Sequence, residues 1–219
     1  MQLEAITWQR MAERLAGHLD DGPPDDEGAA AWRRVGIDGA PAALTGVLAG
    51  ELADALRPRG RPVLVVAAED FLRPASLRFE FGREDVDSYL GSWYDTAALW
   101  REVFGPTDPG GTGRVLPDLW DPVTDRATRS AYAELPPGGV LIVHGPLLLG
   151  HWFPFDLSVH ISLSRGALAR RTEESARWTL PAFERYEAET GPADLADVLV
   201  RADDPRHPAW TGLRERRHG

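Results

Sequence analysis

The chain has 219 residues, is 43% hydrophobic, contains no Cys and carries a net charge of −10. That is enough apolar material for one sizeable core, while the missing Cys excludes disulfides and thiolate metal sites. The acidic balance argues against a nucleic-acid partner, which needs a basic face, and leaves small anionic ligands held by a local Arg cluster.

All 24 cationic Lys and Arg positions are Arg. The Ala, Gly, Pro and Arg richness fits the codon bias of a GC-rich genome. The chemical consequence holds either way: no Schiff-base lysine, lysine base or phosphate-loop lysine exists here. A bound phosphate would have to be met by Arg, backbone N–H groups, a helix dipole or a metal. No apolar run approaches the roughly 18 residues of a membrane helix. The N-terminus is amphipathic and lacks the basic start and continuous apolar stretch of a signal peptide. The expected location is therefore the cytoplasm, with no membrane partner.

In chain order, residues 1–20 read as a helix, followed by the acidic Pro- and Gly-rich loop DDGPPDDEG, Asp20 to Gly28. Arg33 to Asp38 reads as a strand and Ala42 to Leu56 as a helix with Leu44, Leu48, Leu52 and Leu56 on one face. Val63 to Ala68 is an apolar run of buried-strand length, ending at Glu69-Asp70-Phe71. A helix is expected over Thr96 to Phe104, then the flexible turn GPTDPGGTG and an extended segment RVLPDLWD. Gly138 to Gly145 and Asp156 to Ser164 are further strand candidates, with a helix over RGALARRTEESAR (165–177) after the second. Pro181 to Glu189 reads as a helix with Pro at its start, and LADVLVRADDP holds the last strand.

Strands that are continuous apolar runs, alternating with helices, predict an α/β fold: a parallel sheet covered on both faces. The expected division is an N-terminal helix and acidic linker over 1–28, a domain over 29–210 and a basic tail over 211–219. Ligands of such sheets bind at the carboxyl ends of the strands. This points to Gly39–Gly46, Glu69-Asp70 and His144-Gly145.

The stretch VGIDGAPAALTG outlines a strand, a Gly-containing turn and a helix start, as in a phosphate-binding loop. Against the pattern G-x-x-x-x-G-K-[ST], only Gly39 fits. Leu44 stands at the second Gly, Thr45 at the Lys that pairs with β- and γ-phosphates, and Gly46 at the hydroxyl that would hold Mg²⁺. Alone, this window reads as an ordinary strand–turn–helix.

The segments that follow change its weight. AEDFLRP, the aromatic-rich FGREDVDSYLGSWYD, GGVLIVHG, SRGALARRT and LADVLVRADDP come in an order and spacing that resembles the uridine kinase-like branch of the P-loop nucleoside kinases. The resemblance spans roughly residues 32–208 and passes through the phosphate loop without a gap. It implies a three-layer P-loop NTPase-like fold, with ATP and Mg²⁺ as cofactors and a small-molecule nucleoside or nucleotide as partner. It leaves a homo-oligomer open.

Carried over position by position, the resemblance implies nucleotide contacts at Gly39, Ala43, Leu44, Thr45 and Gly46. Glu69 falls at the carboxylate that accepts the proton of the attacking hydroxyl, with Asp70 beside it. Arg78, Arg83, Tyr89, Trp93 and Tyr94 fall in the nucleoside-pocket segment, and Arg170 and Arg171 in the lid helix that meets the transferring phosphate. His144 stands where an acid supports the metal, and neutral His is a poor Mg²⁺ ligand; it could instead act as an acid or base near neutral pH.

The bland readings stand beside these roles. They are a solvated strand end for Glu69-Asp70, an ordinary packed flap for the aromatic segment, a solvated basic face for the arginines and a hydrogen-bonded histidine for His144. Three functions follow. The first is a kinase in which Arg replaces the missing Lys. The second is a catalytically inactive pseudo-kinase that binds a nucleotide or partner. The third is another enzyme using Glu69 and His144 as base and acid. Losing the Lys, the hydroxyl and the acid together should leave little ATP-dependent turnover, since one such group typically supplies about 10²–10³-fold.

Overall fold

The computed structural model describes residues 3–20 and 32–213; the acidic loop beyond Asp20 and the tail beyond 213 lie outside these. In chain order the strands and α-helices are β1 (Glu4–Ala5), α1 (Trp8–Asp20), β2 (Arg33–Asp38), α2 (Thr45–Leu56), β3 (Val63–Ala67), α3 (Ala75–Arg78), α4 (Val86–Ser92) and α5 (Thr96–Leu99). Four two-residue strands follow: β4 (Arg114–Val115), β5 (Trp120–Asp121), β6 (Arg126–Ala127) and β7 (Ala133–Glu134). Then come β8 (Val140–Gly145), β9 (Leu157–Ser162), α6 (Arg165–Arg171), α7 (Leu180–Glu189), α8 (Pro192–Leu195), β10 (Val198–Arg201) and β11 (Ala209–Trp210).

The main sheet runs β1-β11-β10-β9-β2-β8-β3. Its five long strands are parallel, and β11 and β1 close one edge antiparallel. This matches the expected parallel sheet covered on both faces, and adds an antiparallel edge that the sequence patterning did not indicate. One face packs on α1 and α2 through Val35, Ile37, Ile142, Val159, Leu48, Leu52, Met11 and Leu15. The opposite face packs Leu141, Val143 and Val66 on Phe71, Leu99, Phe104 and Phe153. β8, between β2 and β3, thus buries both its faces, which is why Val140 to Val143 is continuously apolar.

Three boundaries differ from expectation. The N-terminal segment is not helical throughout: Glu4–Ala5 pairs with β11 before α1 begins. The helix expected from Ala42 starts at Thr45, after a 3₁₀ turn over Pro41–Ala43, because Leu44 takes a left-handed conformation (φ 60°, ψ 47°) that breaks the helix. The helix expected over Thr96 to Phe104 keeps its bounds, with its second half, Trp100–Phe104, a π-helical turn. The helix expected over 165–177 ends at Arg171, where Thr172 is extended, and a separate 3₁₀ helix covers Glu174–Thr179.

Candidate functional site at the carboxyl ends of the strands

Parallel register brings the ends of β2, β8 and β3 side by side. Asp38 pairs with Gly145, Ile37 with His144, and Ala67 with His144. The loop after β2, the residues after β3 and the end of β8 therefore converge, as the sequence predicted.

The loop is tightly closed on itself. The Ala43 N–H donates to the Ala40 carbonyl (2.7 Å) and the Leu44 N–H to the Pro41 carbonyl (3.2 Å), so neither is offered to an anion. The Gly39 N–H donates to the Gly145 carbonyl (3.2 Å). A Cβ on Gly39 would lie 2.8 Å from the Ile161 carbonyl oxygen and 3.1 Å from Ala43 Cβ, so this position admits only glycine. Ala43 is buried, while Leu44 turns out to solvent, 44% exposed. Buried Thr45 places its hydroxyl 3.2 Å from His144 Nδ1. A Cβ on Gly46 would meet His144 Cε1 at 3.3 Å. Thr45, Gly46 and His144 thus form one contact. What the loop keeps for an anion is the N-terminus of α2, where Leu44 supplies no side-chain cap.

These residues do not fit ATP with Mg²⁺ in the usual arrangement. No cation projects from position 45, no hydroxyl from 46 and no carboxylate from 144, and burial lowers the His144 pKa, favouring the neutral ring. Among the described residues there is no group of three or more His, Asp or Glu side chains able to hold a metal.

Glu69 lies in the 3₁₀ turn Ala68–Phe71 that ends β3. Its Oε2 is buried without a hydrogen-bond partner, and a Cβ on Gly145 would come within 2.7 Å of it. Burial pushes its pKa up to about 7; its own backbone N–H opposes the rise and neighbouring Asp70 adds to it. Asp70 is raised by burial and by Asp118, and its backbone carbonyl accepts from the Leu119 N–H at 2.9 Å. A carboxyl group poised near neutrality, with one oxygen free, can accept a proton or hydrogen-bond a neutral donor.

The aromatic segment stands beside Glu69, but its rings pack on one another. Tyr89 contacts Trp93 (5.3 Å between centroids), Trp178 (5.4 Å) and Phe183 (5.8 Å), and Phe79 lies 5.5 Å from Trp93. Burial pushes the Tyr89 pKa up to about 12 and holds that of Tyr94 well above the usual value, with the Glu69 charge adding to both. Arg78 is buried, donates from Nε to the Arg73 carbonyl (2.7 Å), lies 3.4 Å from Asp125 Oδ1, and stacks over Phe79 and Trp93. Arg83 is exposed over the Phe79 ring. Of the two arginines in α6, Arg171 donates to the Ala202 carbonyl (2.8 Å), and Arg170 is exposed beside Gly166.

Sequence reasoning missed a second polar group. Asp38 is fully buried, and its Oδ2 lies 2.6 Å from His160 Nδ1, whose Nε2 lies 3.0 Å from Glu187 Oε1. Asp38 Oδ1 accepts the Leu148 N–H at 2.8 Å. Burial alone would lower the His160 pKa, but the bonds to Asp38 and Glu187 outweigh it and push it up to about 9. Cross-strand register was the one signal available, since Asp38 and His160 are direct partners in the β2–β9 ladder.

A candidate uridine kinase from Bacillus stearothermophilus superposes with a TM-score of 0.67 at 21% identity, covering 86% of this chain and 96% of its own. A candidate fructose transport system kinase from Silicibacter sp. TM1040 gives 0.60 at 21%, covering 87% and 95%. The fold is that of the P-loop kinases. D-glycerate 3-kinase from Cryptococcus neoformans is similar over 83% of this chain and 80% of its own, at 16% identity and a TM-score of 0.50. No family model and no curated protein matches the chain. At these identities the likeness concerns the fold alone. Among the described residues no helix is long and apolar enough to cross a membrane.

Proposed function

We propose that this protein is a catalytically silent pseudo-kinase: a P-loop kinase fold that binds a small hydroxylated molecule beside Glu69 and does not transfer phosphate from MgATP. The observation that carries this reading is the Thr45–His144 contact, 3.2 Å between hydroxyl and ring nitrogen. It joins the positions where a phosphate-loop kinase needs a lysine and a metal-supporting acid. Phosphoryl transfer depends almost wholly on positioning and charge neutralisation, and here both are replaced by a neutral hydrogen bond. Arg170 and Arg171 are the nearest counterpart to the missing cation by sequence role, and Arg171 is already committed to the Ala202 carbonyl.

Retention of Glu69 with an unpartnered oxygen supports the ligand half of the proposal. The substrate names of the similar structures, uridine, fructose and glycerate, share a hydroxyl group. A nucleoside or small polyol is therefore the ligand class to test. The test is a thermal-shift panel of nucleosides, sugars and hydroxy acids, with and without MgATP, followed by product analysis. A shift with one hydroxylated ligand, unchanged by MgATP and lost in Glu69→Ala, supports the proposal. A phosphorylated product that disappears in Glu69→Gln would establish the kinase reading in its place.

A further inference from the structure

A cavity of about 480 Å³ opens between the end of β9, α6 and α7, with Ala40 of the loop at one wall. It lies within the size range of small-molecule sites. Its body is apolar: Ile161, Leu163, Leu168, Leu180 and Phe183 line it. Its polar end is His160 with Glu187, and Glu184 on the next turn of α7 is paired with Arg165 at 2.9 Å. Three carboxylates, Asp38 behind His160, Glu184 and Glu187, face two cations, Arg165 and His160. One negative charge is left in excess, and two when the imidazole is neutral.

The geometry points to a binding site for a small amphipathic amine, its alkyl body against Leu168 and Phe183 and its ammonium group on Glu187. His160 engages only Oε1 of Glu187, which lines the cavity and is half-exposed, so its second oxygen is the acceptor proposed for the ammonium group. A carboxylate or phosphate head would instead meet Glu184 and Glu187, a like-charge encounter that opposes binding. His160 fixes Glu187 from the buried side, while the half-exposed carboxylate keeps a solvent-facing edge through which a ligand enters.

The experiment titrates three six-carbon probes of matched shape, hexylamine, hexanol and hexanoate, into the full chain near neutral pH by calorimetry and thermal shift. Hexylamine is expected to bind saturably and stabilise the fold, hexanol about tenfold more weakly, and hexanoate least. Glu187→Gln should weaken hexylamine about tenfold while leaving hexanol unchanged. Leu168→Trp, which fills the cavity, should remove both. If Leu168→Trp does not fold, Leu168→Phe is expected to weaken both. Absence of saturable hexylamine binding, hexanoate binding as well as hexylamine, or equal hexylamine binding to the filled variant each overturns the proposal.

Discussion

Glu69 concentrates the chemistry of the strand ends in one side chain, because burial without a partner for Oε2 lifts its pKa from 4.5 to about 7. The native state therefore holds this proton more tightly than the unfolded chain. The stability linked to it is fully present below pH 4.5 and is lost as pH rises through about 7. Glu69→Gln is expected to flatten that slope and to raise stability above pH 7 by up to about 2 kcal/mol. Urea unfolding across this range checks it, and parallel pH profiles for the two proteins would refute it. Gly145 shares the same space: it adopts φ 141°, and a Cβ there would lie 2.7 Å from both Ala68 Cβ and Glu69 Oε2. Gly145→Ala is expected to cost about 2–4 kcal/mol by overpacking and backbone strain together, measured as a fall in the unfolding midpoint.

Among the elements, α7 is tied to the end of β2 by the Asp38–His160–Glu187 chain, and to the segment after β8 by Tyr186, whose hydroxyl accepts the Leu149 N–H at 3.0 Å. The native His160 pKa, pushed up to about 9 against 6.5, adds stability that is complete below pH 6.5 and disappears as pH rises through about 9. That window overlaps the Glu69 window only between pH 6.5 and about 7, so the acid and alkaline parts of one pH series separate the two groups. His160→Gln should cost about 2–3 kcal/mol near pH 6 and abolish the loss between pH 6.5 and about 9. An unchanged alkaline slope would show that the chain does not hold α7.

The elements that could be read from sequence were those set by local pattern. The runs Val63–Ala67 and Val140–Gly145 are apolar because both their faces are covered, and Leu48, Leu52 and Leu56 repeat at helical spacing on the buried face of α2. What could not be read depended on distant partners. The two-residue β11 exists only because β10 and β1 flank it. The His160 chain needs residues 122 and 27 positions apart in sequence. The aromatic segment also shows the limit: Tyr89 and Trp93 carry residue types suited to stacking on a base, yet their faces are taken by Trp178, Phe183 and each other.

At the scale of the whole molecule, an acidic, lysine-free chain takes a P-loop kinase-like fold, and Thr45 and His144 meet at the ends of its strands, where the proposed reading puts the missing ATP chemistry. On the proposed reading of a silent kinase fold, three missing groups, each typically worth about 10²–10³-fold or more in rate, stand against one exposed Arg170. On the same reading, the loop after β2 lacks the charge and the metal ligands that transfer from MgATP needs. The most direct test is a calorimetric titration of MgATP into the full chain, with γ-phosphate release and transfer followed in the same samples. The expected result is no Mg²⁺-dependent saturable binding of ATP and no transfer to any nucleoside, sugar or hydroxy acid. Saturable Mg²⁺-dependent ATP binding, with transfer abolished by Glu69→Gln, would contradict it.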